Sequence, residues 1–185
     1  MSNRAFFLDR DGVINFDHGY VSDSEQFDFV PGVFEACKRI IDEGYLIVVV
    51  TNQAGIGRGY YTEADFLRLT DWMKQEFASH QIPITDVRFC PHHAVHGQGD
   101  YLRDCENRKP NPGMLLAAAE AHQIDFTRSV MVGDKTSDME AGQRAGITAL
   151  YKVAEENTDT VQQAGWVSCH RLIDAVNHYF SVRKD

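Results

Sequence analysis

The chain has 185 residues, which fits one domain and leaves little room for a second. Hydrophobic residues make up 43% and charged residues 24%, the balance of an ordinary globular protein. Asp plus Glu outnumber Lys plus Arg by 27 to 18, and the net charge of −9 argues against nucleic acid or anionic lipid as a partner, since both recruit clustered cations. The longest apolar run, Leu46 to Val50, is far short of the ~20 residues of a membrane span. Charge appears early at the N-terminus, before any signal-peptide core, so a cytoplasmic location is expected. Four Cys in a chain this long are expected to stay reduced rather than form a disulfide scaffold. A monomer is expected, because no apolar surface segment asks for an obligate partner.

Short apolar runs alternate with helical patterns, the pattern of an α/β fold with a mainly parallel sheet and helices on both faces. Ala5 to Leu8 is the first strand, and it ends abruptly at Asp9. Pro31 and Gly32 open a helix whose inner face reads Val33, Cys37, Ile40 and Ile41, and Gly44 closes it. Leu46 to Val50 is a run rich in β-branched residues, suited to a strand buried on both faces. Thr62 caps a helix carrying Phe66, Leu69, Met73 and Phe77 at helical spacing. Val87 to Cys90 is a short strand, followed by a polar Cys/His loop at about 90–108. Asn111 and Pro112 open a helix through Ala121. Ser129 to Val132 is a strand, Met139 to Ala145 a helix, and Thr148 to Val153 a strand. Trp166 to Cys169 and an amphipathic stretch from Leu172 to Phe180 complete the single domain, 1–185.

Ligands of open α/β sheets bind at the carboxyl ends of the strands. Here those ends, and the segment before the Asn111–Pro112 helix, gather chemistry: Asp9 and Asp11, then Thr51, then Lys109, then Asp134. Taken singly, each has a bland reading as a turn, a cap or a solvated charge. A calcium loop fails, because Gly12 comes two positions early and Tyr20 stands where the closing Glu belongs. Three carboxylates in one crevice repel one another unless a cation sits among them, and a few hard oxygens suit Mg²⁺. Thr51 and Lys109 would then grip phosphoryl oxygens, so the set suits phosphoryl transfer with a carboxylate nucleophile.

These segments carry a resemblance. Phe7 to Asn15, Thr51, Lys109 and Gly133 to Asp138 resemble, in order, the motifs of haloacid dehalogenase-like phosphatases. The likeness runs from about Ala5 to Leu150. Asp17 to Tyr20, Thr51 to Gly59, Cys90 to His93 and Arg108 to Met114 resemble the branch acting on heptose bisphosphates, with histidinol-phosphate phosphatases as the close alternative. The resemblance implies a Mg²⁺-dependent phosphomonoesterase acting on a small phosphorylated sugar. Asp9 would be nucleophile and Asp11 general acid and base. Asp9, Asp134 and the backbone carbonyl of Asp11 would hold Mg²⁺, and Thr51 and Lys109 would bind the transferring phosphoryl group. Arg108 would meet the distal phosphate, while Asp17, His18, Gly19, Tyr20, Asn52, Gln53 and Ala54 would line the pocket. Lys135 and Arg58 would add to the positive field around the phosphates.

The interval from Asp9 to Thr51 holds no large cap domain, so loops must cover the site. The chief competitor of another class is a non-enzymatic phospho-receiver module. It fails because its phosphoacceptor Asp sits at the third strand end, where this chain reads Arg88-Phe89-Cys90-Pro91. Gly55, Gly57 and Gly59 miss the dinucleotide spacing. Last, Cys90, His92 and Cys105 resemble three of the four ligands of the family's structural zinc loop. Asn107 replaces the fourth, a Cys, so weak or absent zinc is the expectation.

Overall fold

A seven-stranded sheet in the order β3-β2-β1-β4-β5-β7-β6 organises the protein, seen here in a computed structural model that describes residues 2–154, 159–163 and 165–183. The strands are β1 (Ala5–Leu8), β2 (Leu46–Asn52), β3 (Asp86–Cys90), β4 (Val130–Gly133), β5 (Ala149–Val153), β6 (Val161–Gln162) and β7 (Val167–Cys169). All ladders are parallel except β6 with β7. The order reverses beside β1, with β2 on one side and β4 on the other, and that junction creates a crevice at the strand ends.

Strand residues alternate between two cores, which is why the central strands are apolar throughout. Phe6, Leu8, Ile47, Val49, Val130 and Val132 point one way and pack against α1 (Val33–Asp42), α3 (Glu63–Ser79) and α6 (Leu172–Val182). Phe7, Val48, Val50 and Met131 point the other way, against α4 (Gly113–His122) and α5 (Thr136–Ala145). The result is a three-layer sandwich with no inserted domain between β1 and β2. Cys37 and Cys169 are fully buried core residues, and Trp72 packs on Phe27 and Phe29. None of the helices formed by the described residues is long and apolar enough to cross a membrane.

Local chemistry explains the ends. Thr62 caps α3: its Oγ1 accepts from the Asp65 amide at 3.1 Å, and its own amide donates back to the Asp65 carboxylate at 2.8 Å. Several elements extend beyond their expected limits. β2 runs on through Thr51 and Asn52, because β3 supplies partners, Phe89 and Cys90, for both. α5 starts at Thr136 rather than Met139, because Asp138 accepts from the Lys135 amide at 2.9 Å and closes the first turn. A one-turn helix, α2 (Ala54–Gly57), lies in a Gly-rich segment with no apolar periodicity to announce it.

Candidate active site

The crevice is assembled from three strand ends, the first turn of α5 and the segment before α4. β1 delivers Asp9 and Asp11, β2 delivers Thr51, β4 delivers Asp134, and the first turn of α5 delivers Asp138. Lys109 arrives from the turn before α4. That turn is pinned to β2 by a reciprocal pair: the Lys109 amide donates to Asn52 Oδ1 and Asn52 Nδ2 donates to the Lys109 carbonyl, each at 3.1 Å.

Lys109 is 3% exposed, and its ammonium is the hub of the crevice. Nζ lies 3.0 Å from Asp9 Oδ1 and 2.6 Å from Asp138 Oδ1, and it donates to the Val50 carbonyl at 2.7 Å. Burial works against its charge, but the two carboxylates outweigh burial and hold its pKa above the usual lysine value. Asp9 is raised well above the ordinary carboxylate range by burial, which Lys109 only partly offsets, with Asp138 and Asp134 adding repulsion. Asp134 is raised by burial as well. A crevice that holds back the ionisation of its own acids is short of positive charge.

Ligand oxygens of Asp9, Asp134 and Asp138 all lie within 4.8 Å of one another. Asp138 has both oxygens engaged, one by Lys109 and one by the Lys135 amide. Asp134 Oδ1 is buried with neither a hydrogen bond nor an ion pair, whereas Asp138 Oδ1, also without a hydrogen bond, is ion-paired to Lys109. Asp9 and Asp134 therefore have oxygens to offer a hard cation, and Mg²⁺ fits the donor set. The side chain of Asp11 is turned away from this cluster: Oδ1 accepts from Arg10 Nη2 at 2.9 Å and Asn15 Nδ2 at 3.0 Å, and Oδ2 from Gln53 Nε2 at 3.1 Å. Of the expected metal set, Asp11 thus retains only its backbone carbonyl as a donor.

Gly12 lets the first loop close on Asp134. Its φ is +87°, and a Cβ there would stand 2.6 Å from Asp134 Oδ2.

The remaining candidates separate by burial. Thr51 is 1% exposed, and its Oγ1 accepts from Gln53 Nε2 at 2.8 Å. Gln53 is itself 2% exposed, with its amide fully engaged by Thr51, Asp11 and the Tyr61 hydroxyl. It therefore orients Thr51 and Asp11 rather than lining an open pocket. Asp17, His18, Gly19 and Tyr20 form an exposed loop over the crevice, tied down by Asp17 to Lys135 Nζ at 3.3 Å. A cleft of about 370 Å³ opens between Phe16 and His18 on one side and Arg171 on the other, and reaches Gly12 and Asp134. Ala54 opens α2, and Arg58 closes it with a buried Nε that has no hydrogen-bond partner. Arg108 is half-buried and donates to the His92 carbonyl at 3.2 Å, with the rest of its guanidinium fork open. A second cavity of about 400 Å³, between Ser129, Thr148 and Tyr179, lies at the amino ends of β4, β5 and β7, the opposite end of the strands from the carboxylates above.

Sequence reasoning left three supporting residues without a role. Arg10 is 2% exposed, holds Asp11, donates to the Val21 carbonyl at 2.7 Å and lies between the rings of Phe27 and Phe66. Tyr61 secures Gln53. Asp138 was visible in the Gly133–Asp138 segment, but its partner, Lys109, is remote in sequence.

Known proteins are similar to this chain to different depths. A family model described as "HAD-hyrolase-like" matches residues 106–169. The D-glycero-alpha-D-manno-heptose-1,7-bisphosphate 7-phosphatase of Burkholderia mallei is 52% identical over 164 residues, 89% of this chain and 87% of that one. The D-glycero-beta-D-manno-heptose-1,7-bisphosphate 7-phosphatase of Vibrio cholerae is 44% identical over 186 residues, covering 100% of both. Among solved structures, a HAD-like phosphatase from Mesorhizobium loti superposes with a TM-score of 0.86 at 33% identity, covering 100% of this chain and 89% of that one. The D,D-heptose 1,7-bisphosphate phosphatase of B. bronchiseptica, complexed with magnesium and phosphate, gives 0.81 at 27% identity, covering 97% and 99%.

Fold, crevice and these likenesses define a haloacid dehalogenase-like phosphatase, a phosphoric monoester hydrolase. Within that class, the chain belongs to the D-glycero-D-manno-heptose 1,7-bisphosphate 7-phosphatase family.

Proposed function

We propose that this protein removes the 7-phosphate of D-glycero-D-manno-heptose 1,7-bisphosphate through a phosphoryl group carried on Asp9. The observation that carries the reading is 44% identity along the whole length of an enzyme of that name. The crevice chemistry is consistent with it. Asp9 Oδ1 is engaged by Lys109 and by the Arg10 amide at 2.8 Å, which leaves Oδ2 to attack phosphorus. As the bond from phosphorus to the sugar oxygen breaks, the Asp11 carboxyl, protonated and turned in from its contacts with Arg10, Asn15 and Gln53, gives its proton to the departing alkoxide. In the second step Asp11 takes a proton from water, whose oxygen attacks phosphorus. Inorganic phosphate leaves and Asp9 is regenerated. Thr51 and the Lys109 ammonium neutralise and orient the transferring group throughout.

Asp9, Asp134 and the Asp11 carbonyl would hold Mg²⁺, which when bound supplies charge neutralisation for the phosphoryl oxygens. Asp138 fixes Lys109 and is a positioning residue. Arg108 binds the distal phosphate, helped by Lys135 and the Asp17–Tyr20 loop, and Asn52 and Ala54 border the sugar. A planar guanidinium suits a phosphate that stays in place through the reaction.

Steady-state kinetics on both heptose bisphosphate anomers, on heptose 7-phosphate and on histidinol phosphate test the assignment. A bisphosphate is expected to exceed histidinol phosphate in kcat/KM by about a hundredfold or more, since a polar site rejects an analogue that leaves its charges unpaired. Arg108→Ala is expected to raise KM for the bisphosphate and leave heptose 7-phosphate nearly unchanged. Histidinol phosphate turned over with equal efficiency overturns the substrate assignment. Equal KM changes for the two sugars remove Arg108 from the distal phosphate.

A further inference from the structure

Outside the crevice, one other group of potential ligands among the described residues converges: Cys90, His92 and Cys105, whose ligand atoms all lie within 4.8 Å of one another. Cys90 ends β3 and is buried, while His92 and Cys105 are half-buried and keep one side of the group near solvent. The distance from Cys90 Sγ to His92 Nδ1 is 3.7 Å. Zinc bonds of about 2.3 Å to sulfur and about 2.0 Å to nitrogen place a sulfur and a nitrogen of one tetrahedral shell about 3.5 Å apart. The Cys90–His92 pair thus stands at metal-ligand spacing, and Cys105 lies close enough to complete a three-ligand face.

Among the described residues, no further His, Cys, Asp or Glu belongs to the group. The nearby candidates are used otherwise. His93 Nδ1 accepts from the amides of Val95 and His96, each at 3.1 Å. Asp104 Oδ1 accepts from the Cys105 amide at 2.9 Å. Asn107 is exposed, its Oδ1 lies against Gly113, and it borders a groove formed by β3 and Met114. A closed structural zinc site needs four protein ligands, whereas three ligands with an open place is the layout of exchangeable and reactive zinc. This set therefore does not fit a closed structural centre.

We propose that Cys90, His92 and Cys105 form an open zinc site, occupied reversibly, whose fourth place takes an external ligand such as water, a thiol or an imidazole. The site adjoins the phosphate-binding turn. The Arg108 amide donates to the Cys105 carbonyl at 3.0 Å, and the Arg108 side chain holds the His92 carbonyl. Metal exchange would thus take place within a few residues of Lys109. The inference is independent of the substrate assignment.

Cobalt(II) is the probe, added to reduced protein with excess Mg²⁺ to occupy the carboxylates. A thiolate-to-cobalt charge-transfer band is expected at one cobalt per chain, and carboxylate binding gives no such band. Imidazole is expected to shift the visible cobalt bands, and a chelator to remove the ion readily. Asn107→Cys is expected to abolish the imidazole shift and to slow metal loss at least about tenfold, in keeping with the cost of losing ligand-shell groups. No charge-transfer band in the unmodified protein overturns the site. A band unmoved by imidazole, or zinc retained through chelator dialysis, overturns its openness. Measurements on the unmodified protein decide the question if the variant fails to fold.

Discussion

The carboxylate crevice and the Cys90–Cys105 loop differ in what holds them together. The crevice is fixed by strand register and by a buried lysine that touches two acids and a β2 carbonyl, so its parts are in place before any ion arrives. The loop hangs on short turns, and its three converging side chains are a buried Cys90 and the half-buried His92 and Cys105. A site built on strand ends is over-determined, and losing one member spoils chemistry more than assembly. In the loop, losing one ligand alters how firmly a metal is kept.

The sharpest way to break the comparison is Asp9→Asn. The variant is expected to keep the fold and to lose turnover by about three orders of magnitude or more, the scale of a missing covalent catalyst. Mass spectrometry should accompany the assay, to exclude deamidation back to Asp. Near-normal turnover in a folded, verified Asn variant would remove Asp9 from the nucleophile role.

Asp138→Asn probes the support beneath the chemistry. The side chain is 1% exposed and faces Lys109. The amide keeps an acceptor but loses the charge, so Lys109 would keep one ion pair, to Asp9, and its hydrogen bond to the Val50 carbonyl. Turnover is expected to fall about tenfold to a hundredfold, as for outer-shell partners in metal sites. Denaturant melts should show a loss of about 1–3 kcal/mol for the impaired buried pair. A variant equal to the parent in both would leave Asp138 as a helix-cap residue only.

The smallest effect is expected at Asp86, where β3 meets α4, at the end of β3 opposite Cys90. Its carboxylate accepts from Arg88 Nε at 2.8 Å and pairs with His122 Nε2 at 2.9 Å. Burial pushes its pKa up, but these two partners more than compensate and leave it below the usual value. A carboxylate depressed in the folded state stabilises the fold above its unfolded pKa, and the benefit disappears as pH falls through the lower folded value. Asp86→Asn should therefore cost about 0.5–1 kcal/mol at neutral pH, since the pair is partly hydrated. Melts repeated at decreasing pH should show the gap closing in the acid range. A gap that widens there would reverse the sign.

Much of this was legible in the chain. β1 occupies its expected limits, and the acids at the ends of β1 and β4 were readable because apolar runs stop abruptly at Asp9 and Gly133-Asp134. What escaped depends on contacts remote in sequence. Nothing local marks Arg10 as a buried strut, since Phe27 and Phe66 come from distant elements. Gln53 reads as a pocket residue until Tyr61 is seen to close it off. The early start of α5 was hidden because Lys135, an unusual cap residue, stands where Ser, Thr, Asp or Asn is preferred. β6 is two exposed residues, too short for any alternation to register.

The Cβ clearance at Gly12 has a consequence of its own. With Asp134 2.6 Å from that missing carbon, the first loop and the fourth strand end touch through a glycine, like two walls separated by a single sheet of paper. The width of the cavity is thus set by the thinnest residue available. Catalyst redesign at this position has nowhere to go but outward, since every other amino acid wedges the walls apart.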